Sequence, residues 1–239
     1  MSISSKRRHR PRTKRGLFID IEGTDGSGKA TQAKLLARTL QQQGRVVHTI
    51  AFPQYGKHSA APIQAYLNGE YGSLGEVGPY RASIFYAIDR LTARTKIMQW
   101  LKQGHIVLAD RYMASNLAFQ GAKIPSWNAR KKYWMWDEEF EYELLNIPRP
   151  DMTLVLMVPP SMSDERVLKK KLRPYIKRRK RDIHERDLKY QRRVVGIYQE
   201  LATFDRSMQI INCAPHGIAL SIPQVHELLM QILGKRIRG

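Results

Sequence analysis

The stretch Gly23-Thr24-Asp25-Gly26-Ser27-Gly28-Lys29 decides the fold, because it matches the phosphate-loop pattern G-x-x-x-x-G-K. It follows the apolar run 17–22, which predicts a buried strand, and precedes residues 30–43, whose leucines have helical spacing. Strand, glycine loop and helix in this order form the context in which the pattern binds a nucleoside triphosphate. Backbone N–H groups and the helix N-terminus attract the phosphates, and Lys29 adds a full positive charge.

The residue after the lysine departs from the usual motif, in which a Ser or Thr hydroxyl ligates Mg²⁺. Here that residue is Ala30, followed by Thr31. Alanine has no oxygen in its side chain, so another group must hold the metal, and Asp25 is a candidate. The hydroxyl of Thr31 can still donate to a phosphate oxygen. We therefore predict an ATP-phosphate site formed by Gly23, Thr24, Asp25, Gly26, Ser27, Gly28, Lys29, Ala30 and Thr31.

The positive charge of the chain is concentrated in two segments. The 239 residues, enough for one α/β domain with a small subdomain, carry a formal net charge of +20. Residues 1–15 contain seven Lys or Arg and residues 169–181 contain nine, with no acid in either segment. The remaining chain has 25 basic and 21 acidic residues, so it carries only +4. This near-neutral body argues against a broad nucleic-acid-binding surface.

Residues 1–15 are polar and lack periodicity, which predicts a basic, flexible tail. Either the tail is simply solvated, or it binds polyanions such as nucleic acid weakly.

The single cysteine, Cys213, excludes an internal disulfide and suits a reducing compartment. No apolar run approaches the roughly 20 residues needed to span a bilayer, and the N-terminus has no apolar signal core. We expect a cytoplasmic protein without membrane contact.

Aliphatic runs and helical patterns alternate along the chain, which is typical of a parallel sheet covered by helices. The predicted strands are 17–22, 46–51, 105–109, 152–158 and 208–212. The predicted helices are 30–43, 59–68, 80–103, 126–146, 161–171, 184–205 and 221–234. Ligands of such sheets bind beyond the carboxyl ends of the strands. The aromatic run from Tyr133 to Trp136 has the spacing of a helix face packed in a core or a subunit interface.

Four further motifs accompany the phosphate loop. They are Phe52-Pro-Gln-Tyr-Gly56, Tyr86-Ala-Ile-Asp-Arg90, Asp110-Arg-Tyr-Met-Ala-Ser-Asn-Leu-Ala-Phe-Gln120 and Arg181-Asp-Ile-His-Glu-Arg-Asp187. In this order, from residue 17 to about 234, the set resembles the thymidylate kinases, which make dTDP from dTMP and ATP. The resemblance implies a P-loop kinase fold: a five-stranded parallel sheet covered by helices, with a mobile basic lid at about 169–183. It also implies a domain over 16–239, a homodimer, and ATP and Mg²⁺ as cofactors.

The resemblance assigns dTMP-binding roles to nine positions. Tyr86 would stack on thymine and Arg90 would donate to its carbonyl. Arg111 would grip the acceptor phosphate, and Phe119 would pack on the deoxyribose and disfavour a 2′-hydroxyl. The other implied positions are Phe52, Tyr55, Asp110, Ser115 and Asn116. Taken singly, Tyr86 could instead be a core aromatic, and Arg90 could form a surface ion pair with Asp89.

The resemblance also implies the catalytic and metal-binding residues. The phosphate loop of this chain has no arginine between its glycines. In members of this family with such a loop, the lid supplies the arginines. The predicted catalytic residues are Lys29, Asp25, Arg111, Arg173, Arg178 and Arg179, and the predicted metal ligands are Asp25 and Glu185. A solvated charged surface is the alternative for 169–181. Many family members have Arg in the Phe-Pro motif; here Gln54 and Tyr55 stand there, so that contact is lost or is taken over by Tyr55 or Lys57.

Two other functions fit the sequence less well. One is a P-loop kinase for another acceptor, such as dUMP or thymidine. The other is a P-loop ATPase associated with nucleic acid through the tail and residues 169–181.

Overall fold

The computed structural model describes residues 15–159, 162 and 188–237, and it contains one five-stranded parallel sheet. The order of the strands is β2-β3-β1-β4-β5, with β1 in the centre. The strands are β1 Phe18–Gly23, β2 Val47–Ala51, β3 Ile106–Asp110, β4 Met152–Met157 and β5 Met208–Asn212. The predicted sheet is confirmed, and every strand boundary lies within one residue of its prediction.

Helices cover both faces of the sheet. They are α1 Lys29–Gln42, α2 Ala61–Asn68, α3 Leu74–Lys102, α4 Met113–Gly121, α5 Trp127–Glu138, α6 Leu188–Phe204 and α7 Ile222–Ile237. A π-helical turn, Glu139–Leu144, continues α5. The predicted helix 161–171 and the predicted lid lie outside the described residues, apart from Met162.

Two helical segments were missed in the sequence analysis. Helix α3 begins at Leu74 rather than at residue 80, because Ser73 and Glu76 form a capping box. Its backbone then breaks at Gly78, whose φ is 72°, so that residue 80 falls near the start of the second part. Helix α4 was not predicted at all. The residue before its first turn, the N-cap Tyr112, makes no side-chain cap, so the usual local signal for a helix start is missing.

Side chains along β1 point alternately to the two faces of the sheet, and each face packs against its own hydrophobic core. Ile19 and Ile21 pack with residues of α1 and α7 on one face. Phe18 packs with residues of α3, α4 and α6 on the other face, and the alternation places Asp20 and Glu22 on that face as well. Two carboxyl groups are therefore buried in the core beside the phosphate loop.

The remaining sequence expectations have simple outcomes. Tyr133 and Trp134 are fully buried, which confirms core packing for this part of the aromatic run, whereas Met135 is exposed. Cys213 is buried and free. Arg15, at the end of the predicted tail, is exposed and pairs with Asp151 at 2.6 Å. Among the described residues, no helix is long and apolar enough to cross a membrane.

Candidate active site

The phosphate loop joins β1 to α1 in a shape that depends on its glycines. At Gly23 the φ is +136°, and a Cβ would lie 2.3 Å from the carbonyl oxygen of Leu156 on β4, so no larger residue fits. Gly28 precedes α1 with a left-handed φ of 97° and offers no side-chain cap. The first turn of α1 also contains no acidic residue. Its N–H groups and partial positive charge are therefore available to an anion.

Lys29 is only 7% exposed, although it carries the charge of the loop. Its Nζ donates to the carbonyl oxygen of Thr24 at 2.8 Å. Burial, and next the nearby guanidinium of Arg111, lower the pKa of Lys29 to about 7. The hydroxyls of Thr24 and Ser27 are buried and have no hydrogen-bond partner among the described residues. A phosphate group would supply both the missing partners and the missing negative charge.

Two clefts meet at this loop. The loop cleft, of about 2130 Å³ and open to solvent, is lined by residues 25–32 of the phosphate loop and α1, and also by Asp110 at the end of β3. The aromatic cleft, of about 550 Å³, lies beside it. Five residues line both clefts: Asp25, Phe52, Pro53, Tyr55 and Arg111.

The aromatic cleft brings together eight of the nine residues for which the sequence predicted dTMP binding. They are Phe52, Tyr55, Tyr86, Arg90, Arg111, Ser115, Asn116 and Phe119. The ninth, Asp110, lines the loop cleft instead. Tyr86 is half-buried: it packs against the core cluster around Tyr66 and also reaches the cleft. Proximity agrees with the predicted roles, which stay predictions.

Asp89 and Arg90 do not form a surface ion pair, so that alternative is wrong. Both are 1% exposed, and each binds another partner. Arg90 donates from Nε to Glu141 Oε2 at 2.6 Å, and from Nη2 to Glu141 Oε1. Burial opposes the charge of Arg90, but the carboxylate of Glu141 more than compensates and raises its pKa. The guanidinium is thus held in one orientation at the wall of the aromatic cleft.

Asp89 organises the Phe-Pro segment. It accepts from the backbone N–H of Gln54 at 2.7 Å, and its carbonyl oxygen accepts from Gln54 Nε2 at 2.8 Å. Lys57 donates in turn to the side-chain oxygen of Gln54. Neither Gln54 nor Lys57 lines a cleft, whereas Tyr55 lines both. Of the two replacements considered for the missing arginine, Tyr55 is therefore the better placed.

Arg111 connects the two clefts. Its Nη2 donates to Asp25 Oδ1 at 2.6 Å, and its Nη1 donates to Ser115 Oγ at 2.9 Å. Burial opposes its charge, but the carboxylate of Asp25 raises its pKa overall. The residue has a φ of 68°, in the left-handed region that disfavours side chains. A strained backbone at the meeting point of two clefts is typical of a functional position.

Three further buried groups were missed by the sequence reading. Gln120 lines the aromatic cleft, and both polar atoms of its amide lack a partner among the described residues. Gln120 is the last residue of the Asp110–Gln120 motif, and its place in that motif was the sequence signal that could have revealed it.

Glu22 precedes the phosphate loop and accepts hydrogen bonds from Tyr112, Ser115 and Tyr198. Asp20 is buried nearby, with no donor to either carboxyl oxygen among the described residues. Burial, followed by Glu22, raises the pKa of Asp20 well above its usual value.

The other predicted positions have different outcomes. Ala30 and Thr31 line the loop cleft. The predicted lid arginines, Arg173, Arg178 and Arg179, and the predicted metal ligand Glu185 lie outside the described residues.

Comparisons with known proteins point to one family. The family model for thymidylate kinase matches residues 21–221. Thymidylate kinase of Mycobacterium tuberculosis is 37% identical over 187 residues, covering 78% of this chain and 86% of the relative. A probable thymidylate kinase of Pyrococcus abyssi is 29% identical over 226 residues, covering 94% and 99%. The solved structure of thymidylate kinase from Candida albicans shares the fold, with a TM-score of 0.69 at 24% identity over 93% of this chain and 92% of that one. The chain belongs to the thymidylate kinase family.

Proposed function

We propose that this protein transfers the γ-phosphoryl group of ATP to dTMP and releases dTDP and ADP. The observation that carries the proposal is the pair of adjoining clefts. One is built around a phosphate loop, and the other is lined by aromatic, amide and arginine side chains. Arg111 and Asp25 stand where the clefts meet, which is where a phosphoryl group would pass between two nucleotides.

The side chains of the aromatic cleft suit a thymine base. A ring stacked on Tyr86 would gain roughly 1–3 kcal/mol. The unpartnered amide of Gln120 has one donor and one acceptor edge, which complement the adjacent carbonyl and N3–H of thymine. Arg90 would donate to a thymine carbonyl, and Asn116 lies on the same wall. In this arrangement cytosine, whose N3 is an acceptor, would pair less well.

Phosphoryl transfer depends on positioning and on charge rather than on a protein nucleophile. Arg111 would bind the acceptor phosphate, and Lys29 would follow the phosphates of ATP. We propose that Arg173, Arg178 and Arg179 supply further charge. Replacing all three by Gln should lower kcat at least a hundredfold while dTMP binding is retained.

The loop cleft also suits Mg²⁺, which takes one or two carboxylates together with phosphate oxygens and waters. Asp25 and Asp110 both line this cleft, whereas Ala30 offers no side-chain oxygen. We propose that Asp25 holds the ion, with Glu185 as a second ligand. When bound, Mg²⁺ would neutralise phosphate charge. Chelation should abolish activity, and added Mg²⁺ should restore it.

We also propose a homodimer, as in the family. Helix α3 exposes Ile84, Ile88 and Leu91 on successive turns, at 39%, 42% and 37%. A second copy of the chain would cover this apolar stripe. Light scattering should then give the mass of two chains, and Ile88→Glu should reduce it to one. A cytoplasmic location, the tail over 1–15 and the domain over 16–239 stay predictions.

One assay tests the reaction. ADP release is measured with ATP and Mg²⁺ in the presence of dTMP, dUMP, dCMP, dGMP, thymidine or DNA. We expect dTMP to be the best acceptor and DNA to give no stimulation. A higher rate with thymidine or DNA than with dTMP would contradict the proposal.

A further inference from the structure

Glu22 caps a helix to which it does not belong. Its Oε1 accepts from the backbone N–H groups of Tyr112 and Ser115, each at 2.8 Å. Tyr112 is the N-terminal cap residue of α4, and Ser115 is the third residue of that helix. These are the backbone donors that a helix leaves unsatisfied, and α4 has no side-chain cap of its own. The carboxylate at the end of β1 therefore determines where α4 begins.

The second carboxylate oxygen of Glu22 is linked to Arg111 by two hydrogen bonds that share the hydroxyl of Ser115. Glu22 Oε2 accepts from Ser115 Oγ at 2.6 Å and from the hydroxyl of Tyr198 at 2.8 Å. A serine hydroxyl has a single hydrogen. Because Ser115 gives it to Glu22, a lone pair of Oγ faces Arg111 and accepts from Nη1 at 2.9 Å.

The carboxylate of Glu22 also helps to hold the strained backbone of Arg111 in place. The N–H of Arg111 itself donates to the carbonyl oxygen of Ile21 at 3.0 Å. The next N–H along the chain, that of Tyr112, donates to Glu22. The left-handed conformation at Arg111 is thus held from both sides by consecutive residues of β1.

We propose that Glu22 is a positioning residue for the acceptor phosphate. Acting through Ser115 and the backbone of Tyr112, it holds the guanidinium of Arg111 where the two clefts meet. The inference deepens the proposed function and rests on it. Glu22 is fully buried and lines neither cleft, so it would reach the acceptor phosphate through Arg111 and not by direct contact. Loss of its charge, with the cap of α4 kept, should therefore weaken binding of the phosphate of dTMP and leave binding of the nucleoside unchanged.

The test compares the dissociation constants of dTMP and thymidine, which differ only by the phosphate, in the full-length protein and its Glu22→Gln variant. Glutamine keeps the shape and an oxygen for the backbone donors. It removes the charge, however, and presents an amide N–H₂ to Ser115 and Tyr198, which reverses the hydrogen bond to Ser115. We expect the dissociation constant of dTMP to rise at least tenfold and that of thymidine to change less than twofold.

Tyr198→Phe is the matched control. It removes the other hydrogen bond to Glu22 Oε2 and leaves the link from Glu22 through Ser115 to Arg111 in place. Both dissociation constants should stay within twofold of the unmodified protein. If Tyr198→Phe shows the same selective loss of dTMP, the assignment of the effect to the Ser115 link is overturned.

The other outcomes are also decisive. Equal weakening of dTMP and thymidine by Glu22→Gln, or no weakening of either, overturns the inference. If Glu22→Gln does not fold, Ser115→Ala carries the test, because it cuts the link to Arg111 and leaves the backbone cap intact. The inference is overturned if the ratio of the dissociation constants of dTMP and thymidine is the same in Ser115→Ala as in the unmodified protein. Failure of the unmodified protein to prefer dTMP to thymidine would contradict the proposed function instead.

Discussion

At the scale of single residues, the charge state of Lys29 has a measurable consequence. Burial and Arg111 hold its pKa at about 7, so the side chain loses its proton as the pH rises through neutrality. The phosphates of a nucleotide in the loop would favour the charged form. Nucleotide binding should therefore draw a proton from solvent, and the affinity should fall as the pH rises above about 7.

We predict an uptake of about 0.9 proton per bound Mg²⁺-ATP at pH 8, and of about 0.1 at pH 6, because a group with a pKa of about 7 is about nine-tenths neutral at the higher pH. Calorimetric titration in buffers of different ionisation enthalpy measures this number. In Lys29→Met the uptake should disappear, and kcat should fall by about two to four decades. Uptake that is the same at both pH values would contradict the assigned pKa.

At the scale of elements, the pairing of Arg90 on α3 with Glu141 in the π-helical turn links the stability of the fold to the proposed recognition of the base. Both side chains are almost fully buried. Removing one partner would leave the other as an uncompensated charge in the core, at a cost of about 3–5 kcal/mol. Loss of Arg90 should therefore damage both the fold and the aromatic cleft.

We predict that Arg90→Ala lowers the free energy of unfolding by about that amount, and also raises the KM for dTMP far more than that for ATP. The double variant Arg90→Met/Glu141→Leu separates the two effects, because it removes both charges and keeps the volume. It should regain much of the stability in urea unfolding but not the low KM for dTMP. Recovery of both properties would place Arg90 outside the base-binding wall.

Elements with local signals could be predicted from the sequence, and those defined by distant partners could not. The aliphatic runs located all five strands. Helix α4 was missed because its cap comes from Glu22, 90 positions before Tyr112. The Arg90–Glu141 pair spans 51 positions, so no local pattern could reveal it. Most cleft residues were identified because they lie in short motifs that resemble those of the thymidylate kinases, whereas Glu22 and Asp20 read as parts of a strand.

At the scale of the whole molecule, the buried Asp20 makes the stability of the fold depend on pH. Its raised pKa means that the folded chain keeps a proton that the unfolded chain releases. Between the ordinary pKa of aspartic acid and the raised value, the unfolded state binds fewer protons. The free energy of unfolding therefore falls as the pH rises through this window, by up to about 1.4 kcal/mol per pH unit from this group.

We predict that Asp20→Asn removes this dependence, because the amide resembles the protonated acid and does not ionise. The free energy of unfolding of Asp20→Asn minus that of the unmodified protein should be smallest at pH 5, larger at pH 6.5 and largest at pH 8. Urea unfolding at these three pH values measures it. Parallel stability curves for the two proteins would show that Asp20 does not titrate differently in the folded state.

If the two nucleotides bind as proposed, the wall that the two clefts share should make their binding interdependent. Asp25 accepts a hydrogen bond from Nη2 of Arg111, so an acceptor phosphate at this guanidinium would compete with the carboxylate. The carboxylate oxygen released by that exchange would alter the electrostatic potential in the loop cleft, which Asp25 also lines. Thermodynamic linkage then requires that each nucleotide change the affinity for the other by the same factor. A single ion pair would thus couple the two halves of the site reciprocally.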